Sequence, residues 1–226
     1  MSTMTKDDIF TWRKQMRRDY LARRMEMGKV THQRLNTVIT HNLMKGFGFL
    51  SNFVTGFCWP FKNEFDARFF IKTLRDQGGR VALPSVAAMG QPLEFYEWWP
   101  GVEMKPGVFD IPVPQGTALV LPQALLIPPV GFDEQGYRLG YGGAFFDRTI
   151  AKLDIELVKP LKIGVGFDLC HMDTIHPMSH DIPMDYVVTE SGIYIPSFSG
   201  LKKIEPGEVV LRLRGRFAPP MLKVLA

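Results

Sequence analysis

Apolar residues recur at helical spacing over residues 7–27, at Ile9, Trp12, Met16, Tyr20 and Met27, and predict a first helix that starts near Asp7 or Asp8. Arg13, Arg17 and Arg24 share a neighbouring face of that helix. A second helix is expected from Thr31 to about Met44, with Thr31 as its cap after Gly28. The segment FLSNFVTGFCWP then reads as a buried strand ended by Pro60. Asn63 is expected to cap a helix over EFDARFFIKTLRDQ, closed by Gly78 and Gly79. RVALPSV is a short strand, and the alternation in LEFYEWW predicts another. Residues 100–118 are rich in Pro and Gly and read as irregular surface chain.

The apolar run LLIPPVGFD predicts a buried strand that empties into GYRLGYGGAFFD, and a helix follows to about Leu153. KIGVGFD is a further buried strand, DYVVTESGIYI is the last clear one, and VVLRLR reads as an edge strand. Strands alternating with helices imply an α/β fold, a mainly parallel sheet sandwiched by helices. Ligands of such sheets gather at the carboxyl ends of strands, where the segment 138–147 falls. One domain over residues 1–226 is expected, with about 200–226 as a C-terminal extension of unassigned role.

Composition narrows the setting. With 46% hydrophobic and 22% charged residues the chain has the make-up of an ordinary globular protein. The formal charge is +4, and seven Lys and Arg residues fall within the first 24 positions. A basic helix of that kind is either a solvated face or an attractor of nucleic acid, membrane or an anionic small ligand. Cys58 and Cys170 give no disulfide framework, and the N-terminus is charged from the start. The longest apolar stretch is broken by three prolines and is too short to span a bilayer, so a reducing cytoplasm is the expected home.

The densest chemistry lies between Gly131 and Asp147, GFDEQGYRLGYGGAFFD. Gly140, Gly142 and Gly143 are expected to take positive φ and let the main chain approach a ligand closely. Backbone N–H groups of such a loop, backed by a helix N-terminus, form a concave site for phosphate oxygens. Arg138 adds a planar cation suited to phosphate, and Asp147 a carboxylate for a metal or a basic partner. The loop is neither a Walker A sequence, lacking GK[ST], nor a GxGxxG fingerprint. His171, His176 and His180 with Cys170 fit no compact tetrahedral spacing and read as solvent-facing or loop-capping residues.

In order along the chain, FCWPFKNEFDARFFIKTL, RVALPSV, FDEQGYRLGYGGAFFD and HDIPMDYVVTESGI resemble the motifs of the 5-formyltetrahydrofolate cyclo-ligases, also called 5,10-methenyltetrahydrofolate synthetases. The resemblance spans roughly residues 9–195. It implies a fold like that of the NagB, ribose-5-phosphate isomerase and CoA-transferase group. It also implies ATP- and Mg²⁺-dependent closure of 5-formyltetrahydrofolate to 5,10-methenyltetrahydrofolate, with ADP and phosphate released. Nucleic acid and membrane are not expected as partners, and a monomer is favoured over an oligomer.

The same resemblance implies residue roles. Arg13 and Arg17 take the place of a basic pair that contacts ATP, with Arg13 standing where the family usually has Lys. Lys14 and Arg18 are the pair one register away. Arg138, Leu139, Gly140, Tyr141, Gly142, Gly143, Ala144 and Phe145 form the nucleotide loop, with Arg138, Phe146 and Asp147 at the reacting centre. Asp147 and Asp181 hold Mg²⁺. Glu64 reads the pterin, and Trp59 and Phe146 pack against the folate, as could Phe145 and Trp98. Phe146 stands where a Tyr is usual. A paralogue that binds folate or nucleotide with weak catalysis is the alternative, and a nucleic-acid module using the basic helix is a third reading.

Overall fold

The computed structural model describes residues 4–156 and 158–213. The chain opens with two long helices, α1 (Lys6–Glu26) and α2 (Lys29–Phe47). Strands β1 (Val54–Gly56), β2 (Arg80–Val86) and β3 (Leu93–Trp98) follow, with α3 (Arg68–Asp76) after the first. A hairpin of β4 (Met104–Pro106) and β5 (Pro112–Pro114) precedes β6 (Leu119–Val120) and β7 (Ala124–Ile127). Next come β8 (Gly131–Asp133), β9 (Arg138–Leu139), α4 (Phe145–Ile155) and β10 (Leu161–Val165). The described chain ends with β11 (His171–Met172), β12 (Tyr186–Thr189), β13 (Gly192–Ser197), β14 (Gly200–Ile204) and α5 (Pro206–Leu213).

The nine-stranded main sheet runs β14-β13-β12-β10-β7-β1-β2-β3-β6. Its central strands β12, β10, β7, β1 and β2 are parallel, and the pairings at both edges are antiparallel. β7 and β12 are buried at every position, as expected for parallel strands covered on both faces. Alternation along β7 divides the core. Ala124 and Leu126 join Ile39, Leu43 and Phe47 of α2 and Phe70 of α3 on one face. Leu125 and Ile127 join Ile150 and Leu153 of α4 on the other. Packing at Gly56 leaves no room for a side chain, because a Cβ there would lie 2.6 Å from the Phe95 ring and 2.9 Å from Leu125. A smaller sheet, β11-β8-β9, carries α1, whose Tyr20 is buried with Val130, Leu139, Met172 and Ile175. Among the described residues no helix is long and apolar enough to cross a membrane.

The α/β architecture with its mainly parallel sheet matches the sequence expectation, whereas several elements depart from it. Thr5 and Asp8 form a capping box that starts α1 at Lys6. α2 starts at Lys29 after Gly28, so Thr31 is not its cap. FLSNFVTGFCWP contains only the short strand β1, preceded by a 3₁₀ turn over Gly48–Asn52. Asn63 is not a helix cap: it has φ of 58°, and its amide donates to the carbonyls of Arg24 and Met27. α3 therefore begins only at Arg68.

Pro128 and Pro129, which have no N–H for a ladder, split LLIPPVGFD into β7 of the main sheet and β8 of the small one. KIGVGFD likewise stops being strand after Val165, and a 3₁₀ turn follows at Asp168–Cys170. DYVVTESGIYI is an antiparallel hairpin that reverses before Gly192, not one strand. The 100–118 stretch forms the β4–β5 hairpin, not irregular chain. VVLRLR belongs to α5 as far as Leu213, where Val209 and Leu213 share the buried face and Leu211 stays exposed. The expected extension thus supplies β14 and α5 up to Leu213, and its remainder, 214–226, lies outside the described residues.

Candidate active site

The β8–β9 hairpin sets the site. Asp133, fully buried, accepts from the N–H groups of Gln135 and Tyr137 and closes the turn, while its other oxygen accepts from Ile175 N–H. One carboxylate thereby ties the hairpin to the segment that carries Asp181. Arg138 leaves this hairpin with a buried guanidinium, which donates to Ile182 O and to Asp147 Oδ1, both at 2.6 Å. Ile182 N–H donates to the same Asp147 oxygen at 3.0 Å. Oδ2 of Asp147 has no hydrogen-bond partner among the described residues.

After Leu139 the chain makes the glycine-rich turn. Only Gly142 of its glycines takes positive φ, at 99°, and the other left-handed residue is Ala144, at 47°. Gly140 and Gly143 do not, contrary to the sequence expectation. Ala144 occupies the cap position of α4 without a side-chain cap bond, so the first N–H groups of the helix face the turn unsatisfied by a cap. A cation stands over each end of the turn. Arg17 Nε donates to Gly140 O at 2.8 Å, with its guanidinium carbon 3.5 Å from where a Cβ of residue 142 would lie, and Arg148 donates to Gly143 O at 2.5 Å. Burial and the charge of Arg13 pull the Arg17 guanidinium down from its ordinary range.

The two basic residues of α1 are used differently. Arg13 is committed to protein: it donates to Ile175 O at 3.0 Å, His176 O at 2.9 Å and Asp181 Oδ2 at 2.5 Å. Burial works against the Asp181 carboxylate, yet Arg13 and the Met178 N–H hold it below its usual range. Arg17 spends only Nε on the chain, and its terminal nitrogens have no partner among the described residues. Lys14 and Arg18, the alternative pair, are exposed and do not line the site.

The opposite wall is built around Glu64. It lies in the loop before α3, 4% exposed, with Oε2 accepting from Phe61 N–H and Oε1 from the Tyr141 hydroxyl. Arg24 is also buried and donates to Lys62 O, Pro129 O and the Tyr141 oxygen. Burial pushes the Glu64 carboxyl up to about 7, against the opposing pull of Arg24, Tyr141 and Phe61 N–H. Burial and the charge of Glu64 push the Tyr141 phenol up, so it remains a donor.

One cavity of about 780 Å³ joins these walls. Every residue from Arg138 to Asp147 lines it, together with Arg13, Arg17, Trp59, Glu64 and Asp181. Trp98 does not; it is buried edge-on against Phe57 and Trp59. Phe146 lines the cavity with its ring 6.0 Å from the Arg138 guanidinium. His171 bonds Glu134, His176 packs edge-on against Trp12, and His180 lies 3.8 Å from Asp181. Two contributors escaped the sequence reading. The β4–β5 tip brings Val108 and Phe109 to the rim, Phe109 at φ of 60°, although its prolines had read as breakers. Arg24 had only its helical spacing from Arg13 and Arg17 to signal a role.

A hard cation is tested by this donor set. Among the described residues no three His, Cys, Asp or Glu side chains come together to hold a metal ion by themselves. Asp147 nevertheless offers the unpartnered Oδ2 beside the phosphate-suited turn, which suits Mg²⁺ held by one carboxylate, ligand oxygens and water. Asp181 could join only by giving up part of its contact with Arg13.

Comparison with known proteins gives consistent matches. The 5-formyltetrahydrofolate cyclo-ligase family matches residues 9–190. The 5-formyltetrahydrofolate cyclo-ligase of Escherichia coli (strain K12) is 32% identical over 140 residues, which cover 59% of this chain and 76% of that one. The enzyme of that name from Mycolicibacterium smegmatis is 32% identical over 127 residues, covering 53% of this chain and 64% of its own. Among solved structures, the 5,10-methenyltetrahydrofolate synthetase of Aquifex aeolicus has a TM-score of 0.69 at 24% identity, covering 85% of this chain and 96% of that one. The synthetase of Mycoplasma pneumoniae has a TM-score of 0.64 at 22% identity, covering 79% and 98%. At those identities the solved structures speak for the fold alone.

Proposed function

The chain belongs to the 5-formyltetrahydrofolate cyclo-ligase family, and from that premise we propose that it catalyses ATP- and Mg²⁺-dependent closure of 5-formyltetrahydrofolate to 5,10-methenyltetrahydrofolate. The observation that carries this reading is the single cavity in which the glycine-rich turn, Arg17 and Asp147 share space with Glu64 and Trp59. A formamide oxygen is a poor leaving group, so N10 of the folate does not expel it unaided at neutral pH. Transfer of the γ-phosphoryl group to that oxygen forms an O–P bond and releases ADP. Attack by N10 then forms the new C–N bond, N10 gives up its proton to solvent, and the C–O bond breaks with departure of phosphate.

The protein's own task is alignment and charge neutralisation. Arg17 and the turn's N–H groups bind phosphate oxygens, while Arg138 holds Asp147 in place and adds positive charge. Asp147 would hold Mg²⁺, with Asp181 as a second ligand, and the ion would neutralise phosphate charge when bound. Glu64 retains acceptor capacity beyond its bonds to Tyr141 and Phe61, and receives the pterin's N–H donors. Trp59 and Phe146 supply apolar surface for the ring systems. Purified protein with both substrates and Mg²⁺ should generate methenyltetrahydrofolate absorbance that vanishes when ATP is left out. Absence of ATP-dependent product would leave the binding-only reading, which Phe146 favours because it offers no hydroxyl to the reacting carbonyl.

Two further outcomes follow from the geometry. Arg17→Met should raise the KM for ATP by about tenfold or more, the weight of a charge-assisted hydrogen bond, with little change in melting temperature. An unchanged KM for ATP would remove Arg17 from the nucleotide site. The second concerns pH. Glu64 must be ionised to accept pterin donors, and its carboxyl is pushed up to about 7. As pH falls through that value the proton returns and acceptor capacity is lost. The KM for the folate should therefore rise, approaching tenfold per pH unit below the midpoint, and level off above it. Glu64→Gln should flatten that dependence, and a wild-type KM constant between about pH 6 and 8 would contradict the assignment.

A further inference from the structure

The two walls of the cavity meet at one hydroxyl. Tyr141 stands in the glycine-rich turn, yet its phenol ends on the far side, between Arg24 and Glu64. It accepts from Arg24 Nη2 at 2.6 Å and donates to Glu64 Oε1 at 2.7 Å. Arg24 Nη2 and Glu64 Oε1 are themselves 3.7 Å apart, so the phenol oxygen is the short link between them. The groups facing Glu64 come from several elements. They are Arg24 of α1, the Cys58 thiol after β1, the Phe61 N–H and Tyr141, while His32 of α2 bonds the Glu64 carbonyl. Of these, only the Tyr141 hydroxyl comes from the turn that faces the nucleotide.

We infer that Tyr141 is a positioning residue for the folate: from within the nucleotide turn, its hydroxyl holds the Glu64 carboxylate away from Arg24 and in the orientation that reads the pterin. The inference rests on the cyclo-ligase reading of Glu64. With the hydroxyl gone, Arg24 keeps the carbonyls of Lys62 and Pro129, and Glu64 keeps the Phe61 N–H. The carboxylate then closes on the guanidinium, which competes with the pterin for the same oxygen. Direct contact with the guanidinium favours the charged form more than the lost neutral donor did, so Glu64 then stays ionised to lower pH.

Tyr141→Phe tests this without disturbing the ring contact to Phe61, at 5.9 Å between centroids. The KM for the folate should rise about tenfold, the loss of one hydrogen bond to a charged group, while the KM for ATP changes far less. The acid limb of folate binding should move to lower pH. Equal effects on both substrates with a lowered melting temperature would indicate a merely structural role and overturn the inference, as would an unmoved folate KM and pH limb. Folate binding without ATP, measured by calorimetry on both proteins, separates the two levels of the account. Folate bound by wild type but never cyclised counts against the cyclo-ligase reading, and weaker binding by the variant still supports the role of Tyr141. No folate binding by wild type overturns both.

Discussion

Asp147→Asn is expected to abolish cyclisation, lowering turnover by about a thousandfold or more, while the chain still folds. Asparagine matches aspartate in shape, so its carbonyl can keep the bonds that Oδ1 accepts from Arg138 and Ile182 N–H. What disappears is the negative charge, and with it the carboxylate oxygen that has no hydrogen-bond partner among the described residues. Arg138 is left buried beside a neutral partner, its side chain 4% exposed, which costs about 3 kcal/mol. A cooperative domain with about 5–15 kcal/mol of stability survives that loss. Turnover and thermal melting, measured together, separate the chemical from the structural effect. A folded variant that retains more than about a tenth of wild-type turnover would remove Asp147 from the metal site, since a lost electrostatic stabiliser costs far more than that.

Arg13→Met is expected to act the other way, chiefly on stability. The guanidinium that it removes is bonded to the carbonyls of Ile175 and His176 and to Asp181, with both charged side chains 9% exposed. Removing one partner leaves Asp181 buried and uncompensated, a loss of about 3–5 kcal/mol. For a chain of this size that lowers the melting temperature by roughly 10 °C. The comparison with Arg17→Met makes the point specific. The two residues lie one helical turn apart on α1, yet one pins the 175–181 segment and the other faces the turn with terminal nitrogens that have no partner among the described residues. Equal melting temperatures for the two variants would contradict this division.

The parts of the fold legible in the sequence are those encoded locally. α1 follows from its periodicity and acidic start, and β7 and β12 from unbroken apolar runs. The turn-to-α4 passage follows from its glycines and Arg138. Errors arose where one composition serves two geometries. Val209, Leu211 and Leu213 alternate like a strand, yet Val209 and Leu213 also share one helical face, and the helix won. Prolines around the β4–β5 hairpin hid a paired segment, and those at 128 and 129 marked a change of sheet inside what read as one strand.

Glycine content indicated a tight turn but not which residues take positive φ, and Ala144 is one of the two that do. The motif resemblance named candidate residues, and of these Arg13, Arg17, Trp59, Glu64, the 138–147 segment and Asp181 line the one cavity, whereas Trp98 does not. Its wiring was not. Tyr141 meets Arg24 across 117 positions of sequence and Glu64 across 77, distances that no local spacing encodes. That Arg13 is tied to protein while the terminal nitrogens of Arg17 have no partner among the described residues likewise depends on where the 175–181 segment comes to rest.

The central claim is that the formyl oxygen of the folate is phosphorylated in this cavity and leaves with the phosphate. Substrate labelled with heavy oxygen at the formyl group tests it directly, by mass analysis of the phosphate released during turnover. The account predicts that the phosphate formed with each methenyltetrahydrofolate carries the label. Unlabelled phosphate, with the heavy oxygen recovered in water, would contradict it.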